Sequence, residues 1–368
     1  MAASKSYSPT QALDAVGQSV WLDNITRGML TSGTLKRYIK DLNVTGLTSN
    51  PTIFDHAIGK TNFYDQAIAR RGNAASTPES IFFELAIEDL QNAADLFRPV
   101  YDATDGQDGF VSLEVSPLLA YDTAKTLAAA KDLFARAKRS NLFIKIPGTP
   151  QGLPAIEEAI FQGIPVNVTL LFSDSQYIAA AHAYLRGIQR RIAAGLPAAV
   201  ASVASVFISR WDKAVVNKVP VELHNTLGIA IAADVYKAYR DLLAGNTWKK
   251  LAAEGAIPQR LLWASTGTKD PAAPDTFYIT ALAVPDTINT MPEETLLAFA
   301  DHGKITGIMN TDTAYSAVVF NRFANAGVNI LELAAQLQKE GAESFVKSWN
   351  DLLAAVTRKS QSLTATSA

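Results

Sequence analysis

"NLFIKIPGTP", residues 141–150, decides how this chain is read. From Leu142 to Pro147 the run is apolar except for Lys145, and Pro147-Gly148 stops it. A short apolar run bounded by turn formers is the pattern of a strand buried on both faces, as in a parallel sheet. A lone lysine in such a strand either snorkels outward to water or keeps its amine inside for use.

Working outward, comparable runs recur on both sides: "SVWLD" (19–23), "VTGLTS" (44–49), "FVSLEV" (110–115), "PVNVTLLF" (165–172), "SVFIS" (205–209), "RLLWAS" (260–265) and "DTINT" (286–290). Helical patterns separate them. "STPESIFFELAIEDLQNAADLF" opens with a capping-box spacing from Ser76 to Glu79 and an early Pro78, then repeats apolar residues every three to four positions. Alternating strand and helix without hairpin signals predicts a parallel sheet, and about eight units predict an α/β fold, a single (β/α)8 TIM barrel with additional helices. An open doubly wound sheet is the competing architecture. No Gly/Ser/Pro-rich linker divides the chain, so residues 1–368 are expected to form one domain. Helices over about 313–358 should pack on the barrel, with 359–368 as a frayed polar tail. Segments 51–76 and 216–256 exceed a minimal barrel and read as inserted or elongated helices.

Bulk properties narrow the function. The formal net charge of −2 comes from 33 basic and 35 acidic residues spread along the chain, which gives nucleic acid or an anionic membrane no reason to bind. No apolar run reaches the roughly 18 residues of a membrane span. The chain has no cysteine, and its opening "MAASKSYSPT" lacks the basic and apolar segments of a secretory signal, so a cytoplasmic location is expected. Its four histidines, His56, His182, His224 and His302, have no metal-ligand spacing, and neither metal nor cofactor is expected. "IGKTNF" around Lys60 lacks the glycine that a phosphate loop requires.

In a closed barrel the strands' C-terminal ends converge on one mouth. Asp23, Asn50, Glu114, Lys145, Asn167, Thr169, Ser209, Arg210 and Ser265 all fall late in, or just after, a strand. Each alone has an ordinary reading: Lys and Glu snorkel, while Asn and Thr satisfy backbone groups. Three ionisable groups on three strands are harder to dismiss together. Burial favours an uncharged amine, and a free amine attacks a carbonyl to give an imine, whose nitrogen accepts electrons when the neighbouring carbon–carbon bond breaks. Asp23 and Glu114 are the carboxylates available to move protons.

"GLTSNPTIF", "FVSLEVSP", "FIKIPGT", "IPVNVTLLFS" and "LWASTGTKDP" resemble, in order and spacing, the signature segments of transaldolase, nearest to its longer bacterial branch. The resemblance implies transfer of a dihydroxyacetone unit from sedoheptulose 7-phosphate or fructose 6-phosphate to glyceraldehyde 3-phosphate or erythrose 4-phosphate, in the non-oxidative pentose phosphate pathway. It implies Lys145 as the Schiff-base lysine, Asp23 as the acid/base at the C4 hydroxyl, and Glu114 with Thr169 as proton carriers during dehydration. Asn50, Asn167 and Ser209 would hold the dihydroxyacetone hydroxyls. A carboxylate at 114 favours the transferase over the small aldolases that release dihydroxyacetone. The phosphate pocket departs from the best-known family pattern: "ISRWDK" and "WASTGTKD" offer Arg210, Ser265 and Lys269. Arg27 is a further candidate, though as a single residue it fits a solvated or ion-paired arginine better. Trp211, Trp248 and Trp263 read as packing aromatics, with Trp211 able to wall the substrate pocket. A non-catalytic sugar-phosphate-binding barrel is the rival from another class.

Overall fold

The computed structural model describes residues 7–71 and 76–366. Eight parallel strands close in sequence order into a barrel: β1 (Gln18–Leu22), β2 (Val44–Leu47), β3 (Val111–Glu114), β4 (Leu142–Pro147), β5 (Val166–Leu171), β6 (Ser202–Phe207), β7 (Arg260–Ala264) and β8 (Thr287–Met291). The closed barrel, not the open sheet, is the architecture. β4, the opening stretch, is buried along its whole length, because helices cover its outer face and the interior is filled with side chains.

The register fixes what stands at the mouth. Glu114 pairs with Lys145, Lys145 with Asn167, and Pro147 with Thr169, so three polar side chains lie in one row across β3, β4 and β5. Lys145 does not snorkel outward; it is 4% exposed. Below that row the interior is aromatic. Phe110 stacks on Phe143 at 4.1 Å and Trp21 lies 6.3 Å from Phe143. Gly46 is required beside Trp21, since a Cβ there would come within 2.3 Å of the indole. At the N-terminal end, Arg260 closes the barrel through Ser19 Oγ, the carbonyls of Gln107 and Thr287, and Asp108 at 3.5 Å.

The helices follow local sequence logic with two differences from expectation. The long helix Pro78–Ala103 is capped by Thr77, which accepts from Ser80 N while Ser80 Oγ accepts from Thr77 N, so the capping box lies one residue after the Ser76–Glu79 spacing. Pro78 still occupies the first turn, where a missing N–H costs nothing. The C-terminal helix runs from Ile330 to Thr366, through most of the segment expected to fray. Trp349, fully buried against Phe82 and Phe83, and Lys359, which donates to Thr61 O and pairs with Asp65, hold it down. Residues 367–368 of that expected tail, and 72–75 of the expected insertion, lie outside the described residues. Within that insertion, helices form over Pro51–Gly59 and Asp65–Arg71; helices Leu227–Ala244 and Asn246–Ala253 occupy much of 216–256.

Candidate active site

Lys145 Nζ donates to Ser49 O at 3.1 Å, lies 3.1 Å from Glu114 Oε2, and faces the Phe345 ring at 5.6 Å. Both residues of the Lys145–Glu114 pair are nearly inaccessible. Neither Glu114 oxygen has a well-aligned hydrogen-bond donor, so the pair is held by charge and proximity and retains bonding capacity. Burial pushes the Glu114 carboxyl above its ordinary range, and Lys145 partly offsets it.

Asp23 follows β1, with its N–H on Met291 O at 2.7 Å. Its carboxylate accepts from Thr48 Oγ1 at 2.7 Å, and Thr48 in turn meets Thr290 Oγ1 at 2.7 Å, which fixes its direction across β1, β2 and β8. Burial raises its pKa too, against the pull of Lys145 and the Thr48 hydrogen bond. Two carboxyls raised in this way can each hold or release a proton nearer neutrality than a surface carboxylate does.

Around them lies an inner cavity of about 150 Å³, bounded by Asp23, Asn50, Lys145, Thr169, Ser205 and Arg210 among others. It opens into an outer one of about 760 Å³ that shares Asp23, Asn50, Arg210, Ser265, Lys269 and Phe345. Asn50 caps the Pro51–Gly59 helix through Oδ1, which accepts from Ile53 N, leaving its NH₂ group for the cavity. Thr169 Oγ1 is buried and has no hydrogen-bond partner among the described residues. Glu114 and Asn167 stand behind the wall. Asn167 Nδ2 donates to Ser112 Oγ at 3.1 Å and its Oδ1 accepts from Ser205 Oγ at 2.7 Å.

β6 differs from expectation in a way that affects the site. It spans 202–207, starting three residues and ending two residues earlier than the 205–209 expected from sequence, and Ser209 opens the short helix Ser209–Val215. Ser209 therefore lines the outer cavity, where its hydroxyl meets Ser265 Oγ at 2.9 Å, while Ser205 reaches the inner one. Ser265 sits at φ +55°, the left-handed region, immediately after β7.

Cations gather at the outer cavity. The Arg210 guanidinium lies 5.0 Å from the Phe207 ring and 5.9 Å from that of Phe345, and burial lowers its pKa against the attraction of Asp23, Glu114 and Glu340. Lys269 and Lys213 line the same space. A guanidinium with two ammonium groups around a half-enclosed cavity suits a phosphate dianion. Behind them Asp212 accepts from Leu227 N, Gly228 N and Tyr278 Oη, and burial pushes its carboxyl up to about 6.

Sequence reading missed Thr48, Ser205, Lys213 and Phe345. Lys213 is three residues beyond Arg210, a helical signal visible once the helix is known to begin at Ser209. Phe345 had none, because the C-terminal helix brings it in from another part of the chain. Arg27 is ion-paired away from the mouth with Asp89 at 2.8 Å and Glu88 at 3.2 Å. Trp211 is fully buried and donates to Phe172 O, so it packs behind the site and does not wall it. Trp263 is fully buried; Trp248 is partly buried and lines a separate surface cleft. His56 lines the outer cavity and His302 lies between Asp275 and Asp301. Among the described residues, no three His, Asp or Glu side chains are grouped to hold a metal ion, and no helix is long and apolar enough to cross a membrane.

A closed parallel barrel with ionisable side chains at its C-terminal mouth defines a (β/α)8-barrel enzyme. The profile of the Transaldolase/Fructose-6-phosphate aldolase family matches residues 20–356, and the chain belongs to that family. Curated relatives agree along nearly the whole length. The transaldolase of Arthrobacter sp. (strain FB24) is 43% identical over 355 residues, 94% of this chain and 96% of the relative. That of Thermobifida fusca (strain YX) is 44% identical over 365 residues, covering 96% and 98%. The transaldolase of Acidothermus cellulolyticus is 44% identical over 361 residues, covering 95% and 96%.

Proposed function

We propose that this enzyme is a transaldolase that works through a Schiff base on Lys145, moving a dihydroxyacetone unit between sugar phosphates. The observation that carries the reading is the placement of the Lys145 amine: buried, 3.1 Å from Glu114, and on the wall of a cavity that also presents Asp23 and leads to Arg210.

Lys145 gives its ammonium proton to the adjacent Glu114 carboxylate, the freed amine attacks C2 of the ketose phosphate, and the carbonyl oxygen takes up a proton to give a carbinolamine. Glu114 and Thr169, whose side-chain oxygens have no hydrogen-bond partner among the described residues, carry the protons as water leaves and the imine forms. Asp23 accepts the C4 hydroxyl proton, the C3–C4 bond breaks, and its electron pair passes to the iminium nitrogen as an enamine. The shortened aldose phosphate leaves. A second aldose phosphate accepts the enamine's electrons at its carbonyl carbon, its new hydroxyl takes the proton back from Asp23, and hydrolysis frees Lys145. Asn50, Asn167, Ser209 and Ser205 are the hydroxyl-binding set, with Asn167 acting after exchanging a protein partner for substrate. Arg210, Ser265 and Lys269, joined by Lys213, hold the phosphate.

Sedoheptulose 7-phosphate and fructose 6-phosphate are the proposed donors, and glyceraldehyde 3-phosphate and erythrose 4-phosphate the acceptors, in the non-oxidative pentose phosphate pathway of the cytoplasm. Residues 1–368 act as one domain, without a cofactor. A coupled assay tests the reading: glyceraldehyde 3-phosphate should form from fructose 6-phosphate only when erythrose 4-phosphate is present. The family's other named activity is the second reading, and free dihydroxyacetone accumulating without an acceptor would favour it. Binding without turnover would favour a non-catalytic barrel.

A further inference from the structure

The end of β5 leaves its ladder. Between Val168 and Leu171 the register with β6 shifts, and Leu170, fully buried, sits at φ +59°. A bulky residue in the left-handed region is strained and persists only where its surroundings hold it there. A bulge also strands backbone groups, and buried ones need other partners. Three side chains supply them. Gln338 Nε2 donates to Leu170 O at 3.0 Å and to Gly148 O at 3.1 Å; Gln176 Oε1 accepts from Phe172 N at 2.8 Å; Trp211 Nε1 donates to Phe172 O at 3.0 Å.

Gln338 alone of the three ties two site strands together. Gly148 lies three residues after Lys145 and Leu170 directly after Thr169, and Gly148 N donates to Thr169 O at 2.7 Å. The amide thus closes a hydrogen-bonded link between the ends of β4 and β5. One turn along the same helix, Gly341 lets the helix lie against the bulge, since a Cβ there would stand 2.9 Å from Leu170 Cδ2. Thr169 receives the consequence. Its hydroxyl makes no hydrogen bond among the described residues, so its direction toward the cavity is set by the backbone on either side.

We propose that Gln338 is a positioning residue: its amide pins the left-handed Leu170 and thereby aims the Thr169 hydroxyl at the carbon bonded to Lys145. The proposal rests on the roles given above to Thr169 and Lys145. Gln338→Met keeps the length and removes both donors. It is expected to lower kcat, and the single-turnover rate at which borohydride traps the imine, by roughly tenfold, with KM for fructose 6-phosphate within about twofold; the unfolding midpoint should fall as well, because the carbonyls of Leu170 and Gly148 lose their donor. In a Thr169→Val background the same change should cost less than about twofold, because the group it aims is gone. An equal loss in both backgrounds, a loss confined to KM, or no loss would overturn the proposal. Should the Met variant fail to fold, Gln338→Glu takes its place. A protonated carboxyl regains one donor, so its rate should approach the parental one as pH falls; a pH-independent ratio to the parent overturns the idea. A parental rate for Thr169→Val alone would instead sink the role of Thr169 on which this stands.

Discussion

The barrel contains two ion pairs of similar composition at opposite ends, and they do different work. At the N-terminal end, Asp108 accepts from Trp21 Nε1 at 2.6 Å, Thr45 Oγ1 at 3.0 Å and its neighbour Gly109 N at 3.2 Å, while Arg260 is engaged by Ser19 and two carbonyls. Both Asp108 oxygens are occupied, and a sugar hydroxyl could not reach them without breaking bonds. At the mouth, Lys145 has Ser49 O and Glu114, and the Glu114 oxygens accept no well-aligned hydrogen bond. A saturated pair stabilises; an under-saturated buried pair keeps its capacity for a substrate, at a cost in stability that the rest of the fold offsets.

The sharpest way to break the comparison is to remove the cation at each end. Lys145→Met should lower turnover by at least about 10⁴-fold in a folded protein, whereas Arg260→Met should leave turnover within about threefold. Next in size, Asp23→Asn should lower kcat by about 10²–10³-fold. With Asp23 as the proposed base and its pKa raised by burial, parental kcat should fall with decreasing pH through a limb above 3.8, the ordinary aspartate value. A pH–rate profile lacking that limb would contradict the assignment. Arg210→Ala should raise KM for fructose 6-phosphate by roughly 10–100-fold while changing that for unphosphorylated fructose little, the difference being the lost charge-assisted bonds.

Stability effects run the other way. Denaturant titration of Arg260→Met should show a loss of about 3 kcal/mol, because Asp108 is left buried and without its counter-charge. Asp212 gives the smallest effect and sharpens the rule: it lies near the mouth, yet its oxygens are occupied, so it belongs with the structural groups. Its pKa is raised to about 6, so the native state binds the proton more tightly than the unfolded chain does. Its share of stability is therefore present below the ordinary value of 3.8 and is lost as pH rises through about 6. Unfolding free energies across that window should fall by on the order of 1–3 kcal/mol, and Asp212→Asn should flatten the slope.

Much of this was legible in the sequence, and the exceptions have physical causes. β4 was read to the residue, since Lys145 and Pro147-Gly148 mark it unambiguously. β6 was displaced because "SVASVF" carries small residues with weak strand signals, and that displacement exchanged Ser205 for Ser209 as the inner hydroxyl. The bulge at Leu170 leaves no local trace, because the residue is an ordinary strand former whose strain is held by Gln338, 168 positions away in sequence. Phe345 likewise enters the site by tertiary packing alone. Polar groups at strand ends can be read from one segment; the walls that orient them come from helices whose docking is a property of the whole fold.

The central claim is that the Lys145 amine bonds covalently to substrate carbon. Reduction with borohydride in the presence of fructose 6-phosphate, followed by peptide mapping, tests it directly. A dihydroxyacetone-derived mass increment on the peptide containing Lys145, and none in Lys145→Met, is the predicted result. An increment on another lysine, or turnover without any trapped adduct, would contradict it.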